Sequence, residues 1–286
     1  MQEHSPRLRV GLIGAGRAGA VIARAFDRVG HHCVAVAAVS EASQHRAAQL
    51  LPSADLRDPL DVCAVSDLII VAVPDDAIAS VVDGLVAAKA IGPQHIVMHL
   101  SGRHGVAVLN AAASVGAMVM AVHPAMTLRG RAEDVQRIEH CPFGITAVGD
   151  AAAVAQALVY EIGGIPVVIA EADRTLYHAA LAHASNHAVT LIAQARELLQ
   201  RAGVDAPGEF LLPLVSASVE GALRDGDAAL TGPVARGDFA TVQAHIDALA
   251  ESGAPTGTVS SYVALARASA ERQHRTWPLQ DSESSR

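Results

Sequence analysis

The chain has 286 residues, a formal net charge of −8, and 51% hydrophobic residues of which few are aromatic (3% of the chain). That length predicts two domains, with cores filled by Ala, Val, Leu and Ile in regular helices and strands, hence an α/β or α-rich fold. The acidic balance, with no basic tract, argues against nucleic acid or an anionic membrane as partner; no apolar run approaches the roughly 18 residues of a membrane span.

In chain order, MQEHSPRLR offers no apolar signal core, so a cytoplasmic location is expected. Arg7 to Ile13 then reads as a buried strand, and Ala18, Val21, Ile22, Ala25, Phe26 and Val29 recur at helical spacing. A change of period across a glycine turn marks a βα unit. Further strands are predicted at Cys33–Val39, Leu68–Val73, Ile96–Leu100 and Met118–Val122, separated by helical or polar stretches, with Phe143–Val148 and Ile165–Ile169 extending the edge. The alternation predicts a doubly wound, mostly parallel sheet. After Ala170 the texture becomes helical, at about 172–202, 208–224, 239–251 and 258–271, broken by AGVDAPG, RDGD, TGPVARGD and SGAPTG. The expected organisation is a dinucleotide-binding α/β domain over 1–170, an all-helical domain over 171–271, and a polar tail over 272–286, disordered apart from Trp277. Cys33, Cys63 and Cys141 are widely spaced in apolar surroundings and read as core thiols.

Gly14, Gly16 and Gly19 form GxGxxG between the first strand and its helix. Gly14 makes the tight turn, Gly16 lets a pyrophosphate approach the backbone, and Gly19 lets helix and strand pack closely. The helix N-terminus, with Arg17 and Ala18, then presents unpaired N–H groups to the phosphates. The end of the second strand carries Ser40 where an NAD-binding sheet places an acid, followed by Ser43 and Arg46. These three suit a 2′-phosphate and favour NADP; the alternative is that Glu41 takes the acidic role and Arg46 faces solvent.

Ligands of open α/β sheets bind beyond the carboxyl ends of the strands, where VAVPDD, HLSG and HPAMT lie. Val73 and Pro74 are expected to line the cofactor, His99 and Ser101 to reach the nicotinamide or substrate, and His123 and Thr127 to flank the same crevice. A structural role for either histidine is the competing reading, since the chain has 14 histidines.

The order GAGRAG, VAVPDD, HLSG, HPAMT, YHAALAHASNH and LTGPVARGD resembles a family of two-domain Rossmann-like NADP oxidoreductases, from about Arg7 to about Ala270. That family is similar to ketopantoate reductase, pyrroline-5-carboxylate reductase and the β-hydroxyacid dehydrogenases, and some members resemble an alternative ketopantoate reductase. The resemblance implies a helical C-terminal domain of the 6-phosphogluconate dehydrogenase-like kind, closing the site and joining two subunits. Of these relatives, the β-hydroxyacid dehydrogenases and ordinary ketopantoate reductase use a lysine on the first long helix of the second domain and an asparagine about a turn later. Asn186 matches the asparagine, but Ala182 stands at the lysine position and Lys89, the one lysine in the chain, lies in the first domain.

At about 100° per residue, His178, Ala182, Ser185, Asn186 and Val189 share one helix face. If that face meets the nicotinamide, His178 can donate a proton in place of the lost ammonium and Asn186 can hold the carbonyl. The alternative makes both hydrogen-bonded core residues. Asp238 is expected to cap the helix beginning at Phe239. Arg236, on what reads as a loop between helices, suits bidentate capture of a carboxylate or phosphate, with Thr231 assisting. His183 and His187 have i, i+4 spacing but no completing ligand, so no metal is expected.

The function expected is NADPH-dependent reduction of a small 2-oxo acid, ketopantoate first, by a homodimer. His178 or His123 would be the acid, Asn186 the orienting group and Arg236 the carboxylate anchor. The alternatives are a pyrroline-5-carboxylate-type imine reductase and a non-catalytic NADP-binding sensor; a deazaflavin is a lesser cofactor candidate.

Overall fold

The computed structural model describes residues 7–279. The MQEHSP segment and residues 280–286 of the expected tail lie outside the described residues. The chain divides into two compact units, Met1–Ala184 and Ser185–Arg286.

The first unit is built on a sheet of order β3-β2-β1-β4-β5-β6-β7-β8. Its strands are β1 (Arg9–Ile13), β2 (His32–Ala37), β3 (Asp55–Leu56), β4 (Leu68–Val71), β5 (Ile96–His99), β6 (Met118–Pro124), β7 (Pro142–Thr146) and β8 (Ile165–Val168). Helices α1 (Arg17–Arg28), α2 (Glu41–Leu50), α3 (Pro59–Ala64), α4 (Ile78–Ala87), α5 (Asn110–Ser114), α6 (Ala132–Gln136) and α7 (Asp150–Glu161) lie between them. Alternation along the strands puts Val10, Leu12, Leu68 and Ile70 into one core with Val21, Ile22 and Phe26 of α1, and Ile13, Ile69 and Val71 into a second with Val62, Ile78 and Val82 of α3 and α4. Both faces are therefore covered, as a doubly wound sheet requires. All pairs are parallel except β6 with β7, where His123 stands directly opposite Gly144.

The long helix α8 (Arg174–Arg201) starts in the first unit and continues into the second, so the division falls within a helix and not at the expected Ala170. The second unit adds α9 (Pro207–Asp225), α10 (Gly232–Arg236), α11 (Phe239–Glu251) and α12 (Thr256–Arg272). Val234, Val242, Ala266 and Ala270 form its small core, against which Phe239 and Trp277 pack. Residues 273–279 are thus more than a loose tail: the Trp277 ring meets Phe239 edge-on and Arg275 Nε donates to the Ala235 carbonyl at 2.8 Å. By contrast α9 leaves Phe210, Leu212, Leu214, Val219 and Leu223 exposed. Among the described residues, no helix is long and apolar enough to cross a membrane.

Candidate active site

The glycine turn follows from local geometry. Gly14 has φ +95°, and a Cβ there would come within 2.6 Å of the Ala72 carbonyl oxygen; a Cβ on Gly19 would meet Gly14 O at 2.6 Å and Ala72 Cβ at 2.7 Å. Both positions demand glycine. Gly16 differs, because its nearest neighbour would be Ala72 O at 3.8 Å, leaving its face open to a ligand. A crevice of about 350 Å³ opens there, lined by Gly16, Arg17, Ala18, Gly19, Val73, Pro74, Leu100 and Ser101 among others. Gly16 is also the N-cap residue of α1 and makes no side-chain cap, so the first amides of the helix remain available to an anion. The open backbone and the free helix end fit a dinucleotide pyrophosphate.

Ser40 caps α2, accepting the Ser43 N–H at 3.2 Å, while Ser43 Oγ donates to the Ser40 carbonyl at 2.7 Å. Arg46 Nη1 donates to the Ala15 carbonyl at 2.8 Å, which holds its guanidinium on the glycine turn and not in open solvent. Glu41 lines a separate cavity with Gln44 and His45. Lys89 is exposed just beyond α4, at the end of the sheet away from the crevice, and is no candidate for the chemistry.

His99 departs from its expected role. It is fully buried, its Nε2–H donates to the Gly105 carbonyl at 2.8 Å, and its Nδ1 accepts the Ser101 N–H at 3.1 Å. With both ring nitrogens committed to backbone, it cannot touch a ligand; it shapes the 100–105 loop instead. Burial is the main reason that its pKa falls to about 4. Ser101 is likewise engaged, its Oγ accepting the Arg103 and His104 amides, although the residue lines the crevice.

Beside that loop the predicted residues do converge. A Cβ on Gly102 would lie 2.7 Å from His178 Cδ2 and 2.9 Å from His123 Nε2, so the absence of a side chain lets both imidazoles rest against it. The two rings meet edge-to-face with centroids 6.0 Å apart. His123 Nδ1 is 2.9 Å from the hydroxyl of Tyr177. Burial first, then the neighbouring His178 and Arg174, push the His123 pKa down to about 4. Tyr177, Arg174, Gly102 and Gly144 were not singled out from sequence. Tyr177 stood in the YHAALAHASNH motif as helix material, and the signal for it is its place one residue before His178.

The second unit carries the other candidates. Asn186 is exposed on α8, and its carbonyl accepts from Thr190 Oγ1 at 3.2 Å. Arg236 is not on a loop: it closes the short helix α10, ahead of the left-handed Gly237 (φ +76°). A cation there complements the helix dipole. Asp238 caps α11 through the Thr241 N–H at 3.2 Å, as the sequence predicts. Thr231 is the N-cap residue of α10 and makes no side-chain cap. Cys33, Cys63 and Cys141 are buried free thiols. Among the described residues, no group of His, Cys, Asp and Glu is disposed to hold a metal ion.

A doubly wound sheet with a glycine-turn crevice, followed by a helical unit, defines a Rossmann-like two-domain protein. Residues 2–124 match the family model of a Rossmann-like domain, and residues 141–269 match DUF2520, a domain of unknown function. None of the curated proteins matches the sequence. Among solved structures, the "putative NADP oxidoreductase" of Bacteroides fragilis is 24% identical with a TM-score of 0.77, covering 93% of this chain and 98% of its own. An imine reductase from Pseudomonas sp. is 20% identical, TM-score 0.66, covering 92% of this chain and 93% of its own. A reductive aminase from Aspergillus terreus, in complex with NADPH and ethyl-5-oxohexanoate, is 18% identical, TM-score 0.66, covering 93% of this chain and 94% of its own. At these identities the likeness establishes the fold.

Proposed function

We propose that the chain is an NADPH-dependent oxidoreductase that reduces a small 2-oxo acid, with ketopantoate as the first substrate to test. The observation that carries this reading is the gathering of three proton-bearing side chains: His123 and His178 rest against Gly102, one residue from the crevice-lining Ser101, and Tyr177 meets His123 from behind. Reducing a ketone creates an alkoxide that must be protonated, so a cluster of donors beside a nucleotide crevice suits carbonyl reduction. Gly14, Gly16, Arg17, Ala18, Gly19, Val73 and Pro74 would hold the dinucleotide, which when bound supplies a hydride. Arg46, fixed on the glycine turn, and Ser40 and Ser43 at the head of α2 favour the 2′-phosphate of NADP over a bare ribose. His178 or His123 gives the proton, Asn186 orients the carbonyl and Arg236 holds the carboxylate.

The protein would act as a cytoplasmic homodimer joined through its helical domain. Helix α9 supports this, because apolar residues as large as Phe210 and Leu223 stand 61% and 85% exposed on it and need a covering surface. Light scattering after size exclusion should return twice the chain mass; a monomer at micromolar concentration would count against it.

The decisive assay is NADPH oxidation against a panel of 2-oxo acids and cyclic imines, repeated with NADH. NADPH binding without oxidation in the presence of ketopantoate removes that substrate. A second reading, reduction of an imine, is favoured by the likeness to an imine reductase and a reductive aminase along more than nine-tenths of the chain. A protonated imine needs no acid, so His123→Ala and His178→Ala should then leave turnover nearly unchanged, whereas on the 2-oxo acid reading the one that supplies the acid should lower it about 100-fold.

A further inference from the structure

Arg174 is 1% exposed, and among the described residues no carboxylate stands within ion-pair distance of its guanidinium, although the Tyr177 phenol and the Glu171 charge both act on it against burial. Its Nε donates to Thr146 Oγ1 at 2.7 Å and its Nη2 to the carbonyls of Ala121 and Gly144 at 3.0 and 3.1 Å, while Nη1 has no partner. Glu171, three residues earlier in the chain, gives its two carboxylate oxygens to the amides of Val106 and Ala107. A guanidinium buried without a counter-ion is unfavourable unless something compensates it. What lies next to it is a phenol: the guanidinium carbon is 5.8 Å from the centre of the Tyr177 ring. Gly144, paired across the sheet with His123, leaves the space that this ring fills, since a Cβ there would come within 2.6 Å of the Tyr177 hydroxyl. The phenol thereby reaches His123 Nδ1 at 2.9 Å, while Nε2 of the same imidazole rests against Gly102, next to the crevice-lining Ser101.

We propose that Tyr177 is the proton source of a relay through His123, and that Arg174 is the resident cation for the tyrosinate left behind. The proposal rests on the reductase reading and supplies the proton donor that α8 lacks with Ala182 in place of a lysine. As the hydride forms a C–H bond at the carbonyl carbon, the C=O π pair moves to oxygen. The alkoxide takes the proton of His123 Nε2, and Nδ1 takes the phenolic proton of Tyr177. The tyrosinate holds the negative charge until a solvent proton restores it. His123 only exchanges one neutral tautomer for the other.

The charges around the relay fit that role. Burial, with His178 and Arg174 adding to it, holds the His123 pKa near 4 and keeps the ring neutral, while Asp75 acts in the opposite sense and His99 with the majority. Burial raises the Tyr177 pKa, Arg174 and the Gly144 backbone oppose that, and Cys141 adds to it. These are the groups facing the pair from α8, β5, β7 and the segments after β4 and before β7. A cation preset where negative charge develops stabilises it without reorganisation.

Because Tyr177 acts through His123 and Arg174 through Tyr177, the test needs readouts that lost packing alone would not move. In the full-length, cofactor-free protein, the ultraviolet difference titration of tyrosinate in wild type, with Tyr177→Phe subtracted, isolates the Tyr177 midpoint. Arg174→Met should raise that midpoint by roughly one unit or more, and Arg174→Lys should return it toward wild type. With NADPH and ketopantoate, or whichever panel carbonyl is turned over, Tyr177→Phe should lower kcat about 100-fold and leave NADPH affinity unchanged. Combining it with His123→Ala should add little, as for residues acting as a unit. A folded Tyr177→Phe protein with kcat within a fewfold of wild type overturns the relay, as does an unmoved midpoint in Arg174→Met. If Arg174→Met does not fold, the Tyr177→Phe rates decide. Wild type that binds NADPH but reduces nothing in the panel overturns the reductase reading and the relay with it, an outcome distinct from an active Tyr177→Phe.

Discussion

Gly102→Ala tests whether the two imidazoles must rest on the HLSG loop. Gly102 is not among the positive-φ glycines, so alanine suits its backbone and the effect is confined to packing. The added methyl would sit 2.7 Å from His178 Cδ2 and 2.9 Å from His123 Nε2, against an ordinary contact of 3.4 Å, an overlap of 3.4 − 2.7 = 0.7 Å and 3.4 − 2.9 = 0.5 Å. Both rings must therefore move by about half an ångström or more, and overpacking of this kind costs about 1–3 kcal/mol. The half-buried rings can swing outward, which puts stability at the low end, about 1 kcal/mol. Catalysis is less forgiving, since a misplacement on the order of 1 Å lowers rate roughly 100-fold. The nucleotide crevice is lined by Leu100 and Ser101 but not by Gly102, so NADPH affinity should not change. Thermal unfolding, NADPH titration and kcat on the active carbonyl substrate separate these effects. A Gly102→Ala protein with wild-type kcat would refute the claim that His123 and His178 act from where they stand.

Arg46→Ala should weaken NADPH binding about 10- to 100-fold, the worth of a charge-assisted hydrogen bond, with NADH nearly unaffected; equal losses for both nucleotides would assign Arg46 only to supporting Ala15. Asp134 Oδ2 accepts the Arg129 and Arg131 amides at 2.6 and 3.2 Å ahead of α6, so Asp134→Ala should cost about 1–2 kcal/mol in urea unfolding at neutral pH. Burial alone would raise the Asp134 pKa, but the amides of Arg131, Arg129 and Gly130 together with the Arg137 charge hold it below its ordinary value, so that stability is present above the usual carboxylate range and disappears as pH falls through the folded value. His99 acts over a higher window: its folded pKa near 4 lies below the unfolded 6.5, so the unfolded chain binds the proton first and stability falls as pH drops from 6.5 toward 4. The loss is about 3 kcal/mol, and His99→Gln should flatten that part of the urea-midpoint profile; an unchanged slope would argue against a buried neutral ring.

Much of this architecture is legible in the sequence, and the failures have identifiable physical causes. The buried strands announce themselves through apolar runs such as Leu68 to Val71; the expected ends overshoot at Val39 and Val73, which are apolar yet lie beyond the ladder, and fall short at β6, which continues to Pro124. The strand Asp55–Leu56 was missed, since two exposed residues carry no period. Gly232-Pro233 reads as a turn, but proline fits the first turn of a helix equally well, and α10 begins there. The unit boundary lies inside the continuous helix α8, where composition does not change. The nearness of HLSG and HPAMT follows from strand-end logic, and His178 from its face of the long helix. The Tyr177–His123 contact did not, because it depends on β7 running antiparallel to β6 and setting Gly144 opposite His123, a register that no local pattern encodes. Nothing in the sequence marks Arg174 as buried, because arginine is a surface residue by default.

The division of the chain then acquires a chemical meaning on the proposed reading. Gly14 to Gly19, Gly102, His123, Gly144, Arg174, Tyr177 and His178 all belong to the Met1–Ala184 unit, and the contacts among the proton-bearing groups are made within it. On that reading, nucleotide capture and proton delivery rest on one packed sheet and the first turns of α8. Asn186 and Arg236, the groups assigned to the carbonyl and carboxylate, belong to the Ser185–Arg286 unit. Substitutions there should change which substrate is accepted, appearing mainly in KM, whereas substitutions in the first unit's cluster should appear in kcat for every carbonyl substrate alike. If instead Arg236→Ala lowered kcat for all substrates without moving any KM, substrate selection could not be a property of the second unit.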